Sequence, residues 1–186
     1  ARVQSHARDL GLYYPVSFAA EGSAQIGGNI ATNAGGIRVL RYGLTRDWVA
    51  GLKVVDGRGR LLDLNRGLVK NASGYDLRHL MIGSEGTLGI IVEATLRLTD
   101  PPPPSRVMLL ALNSMSDMLE VLATLRHQLR LSALEFFSAS ALKLVCQSFD
   151  LRPPFDSEAA CYLLTEFDTP VDSEQLVEKQ ASSLFE

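Results

Sequence analysis

The sequence predicts an α+β protein in two lobes, and three observations carry that expectation. All 15 glycines fall between Gly11 and Gly89, and none follows. Charge divides at the same place: residues 1–100 hold 12 Lys/Arg against 9 Asp/Glu, and residues 101–186 hold 6 against 12. Between them stands Pro101-Pro102-Pro103-Pro104, a stiff spacer that can continue neither a helix nor a central strand. One unit is therefore expected over 1–100, a linker over 101–104 and a second unit over 105–186.

The elements follow in order. Residues 2–10 predict the last turns of a helix, stopped by Gly11 at a C-cap. Val49–Asp56 and Arg60–Leu64 flank Gly57-Arg58-Gly59 and predict a β-hairpin. Tyr75–Met81 predicts a short helix ended by Gly83, and Leu88–Leu98 alternates as a strand does. Beyond the prolines, strands are expected at Val107–Leu112, Leu134–Phe137 and Cys161–Phe167. Helices are expected at Met118–Leu129, capped by Ser114 or Ser116, at Ala139–Phe149 and at Ser173–Leu184. This βαβαβα order predicts an open sheet with helices on one face, for a total of about seven strands and as many helices. Both chain ends fall inside predicted helices, so a fragment of a longer chain is expected.

Composition narrows the function. The chain has 186 residues, is 46% hydrophobic and 21% charged, and carries a formal charge of −3, values of a packed, ordered protein. A clustered cationic excess is absent, which argues against nucleic acid as the main partner. No apolar run reaches the roughly 18–20 residues of a spanning helix, and a cytoplasmic location is expected. Cys146 and Cys161 form no Cys-x-x-Cys pair and are expected as buried free thiols. His6, His79 and His127 show no metal-ligand spacing, so no metal site is expected within this segment.

The most informative stretch is Gly22-Ser23-Ala24-Gln25-Ile26-Gly27-Gly28-Asn29-Ile30-Ala31-Thr32-Asn33-Ala34-Gly35-Gly36. Nearly every side chain is tiny or a short amide or hydroxyl. Backbone N–H groups can then approach a ligand closely and form a nest for an anion, helped by the positive ends of short helical turns. Ser23, Asn29, Thr32 and Asn33 can add hydrogen bonds, and the geometry suits a pyrophosphate. Neither the Gly-x-x-x-x-Gly-Lys-[Ser/Thr] loop nor Gly-x-Gly-x-x-Gly after a strand is present, which removes the two commonest phosphate-binding designs. Tight turns with glycines at helix ends are the plainer alternative. A second cluster, Gly83-Ser84-Glu85-Gly86-Thr87-Leu88-Gly89-Ile90-Ile91, joins a helix to a strand. There Glu85 can accept from a ribose hydroxyl or cap the turn, and the main chain at Ile90 and Ile91 can meet the edge of a flat heterocycle.

IGGNIATNAGG followed by LRYG, and then KNASGYDLRHLMIGSEGTLGI, closely resembles the FAD-linked oxidase family, whose flavin domain is of the vanillyl-alcohol-oxidase or PCMH type. Within it the chain is most similar to the D-2-hydroxy-acid dehydrogenases, the group acting on D-lactate, glycolate and D-2-hydroxyglutarate. The resemblance implies the second subdomain of a PCMH-type FAD-binding domain over 1–100 and part of an α/β, ferredoxin-like cap domain over 105–186. By motif match, Gly22, Ser23, Ile26, Gly28, Asn29, Thr32 and Gly36 would line the pyrophosphate and flavin. Pro15 would border the cofactor, and Glu85, Gly89 and Ile90 would lie toward the adenosine.

The implied activity is oxidation of a D-2-hydroxy acid to the 2-oxo acid by hydride transfer to flavin N5. An external electron acceptor (an electron-transfer protein, cytochrome or quinone) is implied as partner, and a homodimer is compatible with the resemblance. FAD is expected to be non-covalent, since no His or Cys lies between Leu10 and Arg78. The first FAD subdomain would precede residue 1. A histidine-rich divalent-metal motif and the residues gripping the substrate carboxylate would follow residue 186, so no catalytic residue is assigned here. The alternatives are a flavoenzyme of the same fold acting on another alcohol or a sugar, and a non-catalytic nucleotide-binding module.

Other candidates carry plainer readings. Lys70 and Tyr75 can be placed beside a flavin, but Asn71–Gly74 has the chemistry of a turn, with Asp76 starting a helix. Arg38, Arg41 and Arg46 can offset phosphate charge or lie on a solvated face. Trp48 and Tyr42 suit packing under the loop, and Phe136, Phe137 and Phe149 suit the core of the second unit.

Overall fold

The computed structural model describes residues 1–64 and 70–169. The chain divides into two compact units, Ala1–Pro101 and Pro102–Glu186. Both mix helix and sheet, so the protein is α+β.

In the first unit, α1 (Arg2–Asp9) ends at Leu10, and Gly11 follows with φ +70°. Two short helices, α2 (Ile26–Ala31) and α3 (Val39–Tyr42), precede a 3-10 turn over Thr45–Trp48. Then come β1 (Val49–Asp56), β2 (Leu61–Asp63), α4 (Leu77–Met81) and β3 (Gly89–Leu96). The strands form an antiparallel sheet in the order β2-β1-β3. The hairpin is observed where the alternation and the Gly57–Gly59 turn predict it. Asp56 closes it by accepting from the amides of Arg58 and Arg60, both at 2.9 Å.

Two apolar clusters hold this unit. Ile30, Val49, Leu52, Val54, Met81 and Ile82 form one, and Ala7, Tyr14 and Val16 form the other. Ile26 of α2 packs against both, which fixes the first turn of that helix between them. Tyr13 and Thr99 exchange backbone hydrogen bonds of 2.7 and 2.9 Å and tie the two ends of the unit together.

The second unit runs β4 (Ser105–Leu112), α5 (Asp117–Gln128), β5 (Leu131–Ser138), α6 (Ala139–Phe149) and β6 (Cys161–Asp168). Its sheet is antiparallel, in the order β4-β6-β5. Alternate residues Cys161, Leu163 and Phe167 of β6 face a core shared with Leu112, Leu131 and Leu125 of α5. From the other parity, Tyr162 stacks on Phe137 and on Phe155, with centroids 5.4 and 5.7 Å apart. The helix expected at Ser173–Leu184 lies outside the described residues.

Two expectations are corrected. Ser116 stands at the N-cap of α5 as expected, but its side chain caps no amide: the Ser114 hydroxyl accepts from the Ser116 amide and meets the Ser116 hydroxyl, so the two serines satisfy each other. Cys161 is buried, but Cys146 is only half-buried, because α6 leaves much of its apolar side uncovered. Six strands and six α-helices are present among the described residues.

Candidate functional site

The first unit carries a cleft of about 930 Å³, walled by α1, Tyr14, Phe18, by Gly22, Gln25, Ile26 and Asn29, and by Ala94, Leu96 and Leu98. Of the residues singled out from sequence, Gly22, Ile26 and Asn29 lie on its wall, as does His6 of α1.

Helix α2 holds the most distinctive chemistry. Gln25 provides no side-chain cap, so the first-turn amides of Ile26, Gly27 and Gly28 meet no acceptor among the described residues. Such amides need an oxygen or an anion. Gly28 is exposed, its φ is not positive, and a Cβ built there would meet nothing within 4 Å. Two adjacent glycines inside a helix each cost about 1 kcal/mol relative to alanine. Packing does not require a glycine at position 28.

Other predicted residues serve the chain itself. A Cβ on Gly36 would lie 2.1 Å from the Ser17 carbonyl oxygen, and one on Gly89 would lie 2.6 Å from that of Val55, so packing requires both glycines. The Thr32 hydroxyl donates to Gly28 O at 3.0 Å, and Ser23 to Ala20 O at 3.3 Å. Pro15 is buried in the chain leading to the loop. Ile90 is exposed on edge strand β3, paired with Val55 of β1.

The two glycine-rich runs converge. The Gly83 amide donates to Ile30 O at 3.1 Å, and the Glu85 amide to Ala31 O at 2.9 Å, so the second turn closes the carbonyl end of α2. Glu85 stands in the left-handed region at φ 50°, as does Asn33 at 49°. The Asn33 side-chain oxygen Oδ1 accepts from the Arg46 amide at 3.0 Å, so that acceptor is engaged within the chain.

Arg46 and Thr45 are the contributors that sequence reasoning undervalued. Arg46 is half-buried. Its guanidinium donates to Ile82 O at 3.3 Å and meets His79 Nδ1 at 3.3 Å. Thr45 is fully buried, and the Tyr14 hydroxyl lies beside it, buried and without a partner within hydrogen-bond distance. Burial pushes that phenol up to about 12, against a small opposing effect of Thr45. The Gly43–Leu44 bend before Thr45, rich in turn chemistry, is the signal that could have found this pair.

The KNASGYD segment is a turn. The Asn71 side chain accepts from the Ser73 amide at 3.3 Å, Gly74 has φ +72°, and Tyr75 is 95% exposed. Asp76 caps α4 by accepting from the Arg78 amide at 3.1 Å. The Arg78 guanidinium holds the Asp76 carboxyl below the usual carboxylate range, and it reaches the carbonyls of Val49 and Ala50 on β1. Arg38 donates to the Tyr13 hydroxyl at 3.0 Å, and Trp48 Nε1 to Tyr42 O at 2.7 Å, so these aromatics are packing elements.

No group of three or more His, Cys, Asp or Glu suited to a metal occurs among the described residues. No helix there is long and apolar enough to cross a membrane.

Comparison with known proteins adds two family matches: an FAD binding domain over residues 1–65, and the C-terminal domain of FAD linked oxidases over residues 101–186. A D-2-hydroxyglutarate dehydrogenase of Xanthomonas citri pv. viticola is 66% identical over 89% of this chain and 35% of its own length. One from Stutzerimonas stutzeri is 50% identical over the whole chain and 39% of its own length. The mitochondrial enzyme of Bos taurus is 40% identical over 88% of this chain and 30% of its own. The chain thus spans little more than a third of the bacterial relatives. An alkyldihydroxyacetonephosphate synthase structure superposes with a TM-score of 0.70 at 19% identity, covering 98% of this chain and 35% of that one, which shows a shared fold.

Proposed function

Because this chain belongs to the FAD-linked oxidases, we propose that the whole protein is an FAD-dependent dehydrogenase that oxidises a D-2-hydroxy acid to the 2-oxo acid. In this reading, residues 1–100 are the second half of the FAD-binding domain and 105–186 the first part of a cap over the substrate. The observation that carries it is the first turn of α2: three amides without an acceptor among the described residues, beside Gly28, whose missing side chain leaves open space.

The residues fit the cofactor. The amides of Ile26, Gly27 and Gly28 hold the pyrophosphate, and Ser23, Asn29 and Thr32 offer polar side chains next to them. Gly22 lets the main chain approach closely, while Gly36 and Pro15 keep the supporting strand and turn tight beneath. Glu85, Gly89 and Ile90 lie toward the adenosine. When bound, FAD supplies a hydride acceptor at N5. This chain's contribution is binding and orientation; the base, any divalent metal and the groups gripping the substrate carboxylate belong to the rest of the protein.

FAD is held without a covalent bond. The partner is an external electron acceptor, an electron-transfer protein, cytochrome or quinone, and the assembly is a homodimer. Two free cysteines suit a reducing compartment, and the cytoplasm is the one assigned.

The test uses the full-length protein. Purified protein carries flavin absorbance, and D-2-hydroxyglutarate, D-lactate and glycolate are offered anaerobically with an artificial electron acceptor. Flavin bleaching and turnover by one of them is the expected result. Colourless protein that takes up no FAD sinks the reading; coloured protein reduced only by a sugar or a simple alcohol changes the substrate class.

A further inference from the structure

We propose that Arg46 is the positioning residue that joins the turn after α2 to the turn before β3, and so aims the amides of Ile26, Gly27 and Gly28. The inference rests on the reading that those amides hold FAD.

Three tethers meet around α2. At its carbonyl end, Ile30 and Ala31 accept from the amides of Gly83 and Glu85. Just after it, Asn33 accepts from the Arg46 amide and so has its left-handed backbone supported by a specific bond. The Arg46 guanidinium then crosses to the second turn, with Nη2 on Ile82 O and Nη1 on His79 Nδ1. Arg46 thus closes a triangle whose corners are Asn33, Ile82 and the end of α2. A six-residue helix anchored at its carbonyl end has its opposite, amide end aimed by those anchors, and a small rotation there misplaces all three amides together.

The site needs arginine. Its planar fork sends donors from two nitrogens to two acceptors, whereas lysine has a single nitrogen and can hold only one geometry. Arginine carries no acceptor, so His79 Nδ1 must present a lone pair, and the imidazole proton sits on Nε2. The charged groups facing His79 are Arg46 and Asp76, whose Oδ2 lies 3.8 Å from Nε2; Arg78 is bound to that same carboxylate.

The test measures FAD affinity by flavin fluorescence, titrated into full-length apoprotein at pH 8, for wild type, Arg46→Lys and His79→Gln. Amide exchange at Gly83 and Glu85 is followed in the apoproteins. Arg46→Lys is expected to weaken FAD binding about tenfold at pH 8, the consequence of losing one charge-assisted hydrogen bond. His79→Gln matches wild type, because an amide oxygen accepts the same bond from the guanidinium. Gly83 and Glu85 exchange faster in Arg46→Lys.

Wild-type affinity in Arg46→Lys overturns the proposal. So does weakened binding with unaltered exchange at Gly83 and Glu85, the signature of a direct phosphate contact. If wild type itself takes up no FAD, the flavoenzyme reading fails; exchange then decides alone, and unchanged rates in Arg46→Lys overturn the tether.

Discussion

Thr45 gives two hydrogen bonds to one oxygen, the carbonyl of Ala34, at 3.1 Å from its amide and 2.6 Å from its hydroxyl. Ala34 follows the α2 turn, and Thr45 starts the 3-10 turn that delivers Arg46. The pair therefore fixes the distance between the glycine loop and its arginine tether, in a place closed to water.

Thr45→Val keeps the shape and the amide bond but removes the hydroxyl. Stability is expected to fall by about 1 kcal/mol, the usual worth of a buried neutral hydrogen bond, and Thr45→Ser is expected to recover most of it. Urea unfolding of the full-length protein measures both.

Tyr14→Phe behaves differently. The Tyr14 hydroxyl is buried without a partner, so its removal is expected to be neutral or slightly stabilising at pH 7. The folded phenol has its pKa raised from 10.0 to about 12, so the neutral form is favoured. The stability tied to it is complete below pH 10 and is lost as pH rises through about 12. Relative to Tyr14→Phe, wild type is expected to lose about 2–3 kcal/mol across that window, read from denaturant midpoints along an alkaline series.

Gly28→Ala and Gly36→Ala separate a glycine kept for a ligand from one kept for the fold. Alanine at 28 meets open space and favours the helix, so the apoprotein is expected to gain up to about 1 kcal/mol while FAD affinity drops at least tenfold. Alanine at 36 would drive a methyl into the Ser17 carbonyl and is expected to lower the melting temperature of apoprotein and holoprotein alike. Undiminished FAD affinity in Gly28→Ala would remove the main physical support for the cradle.

Acid precipitation of the yellow holoprotein is expected to release all flavin into the supernatant. Flavin retained in the pellet would point to His6, the histidine on the wall of the cleft.

Much of the local architecture was legible. Alternation across Val49–Asp56, with turn residues after it, specified the hairpin; Asp76 and Gly83 bracketed a short helix; and the period of Ala139–Phe149 marked α6. These signals work because strand and helix periods, caps and turns involve residues a few positions apart. Of the serines before α5, Ser116 takes the N-cap position, but its hydroxyl meets that of Ser114 rather than a helix amide, because two nearby hydroxyls can satisfy each other as readily as a helix end.

What the sequence determined by itself was the supply of close-approach backbone: glycines without side chains, placed where amides can be bared, in a pattern that resembles FAD-linked oxidases. Which glycines serve the fold and which face outward was decided by tertiary structure, because only folding brings Ser17 against Gly36 and leaves Gly28 open. The same holds for Arg46, whose partners lie 13 and 36 positions away. A hydrogen bond depends on distances of a few tenths of an ångström. Residues so far apart in the chain acquire such distances only when the two apolar clusters of the first unit form and carry them together.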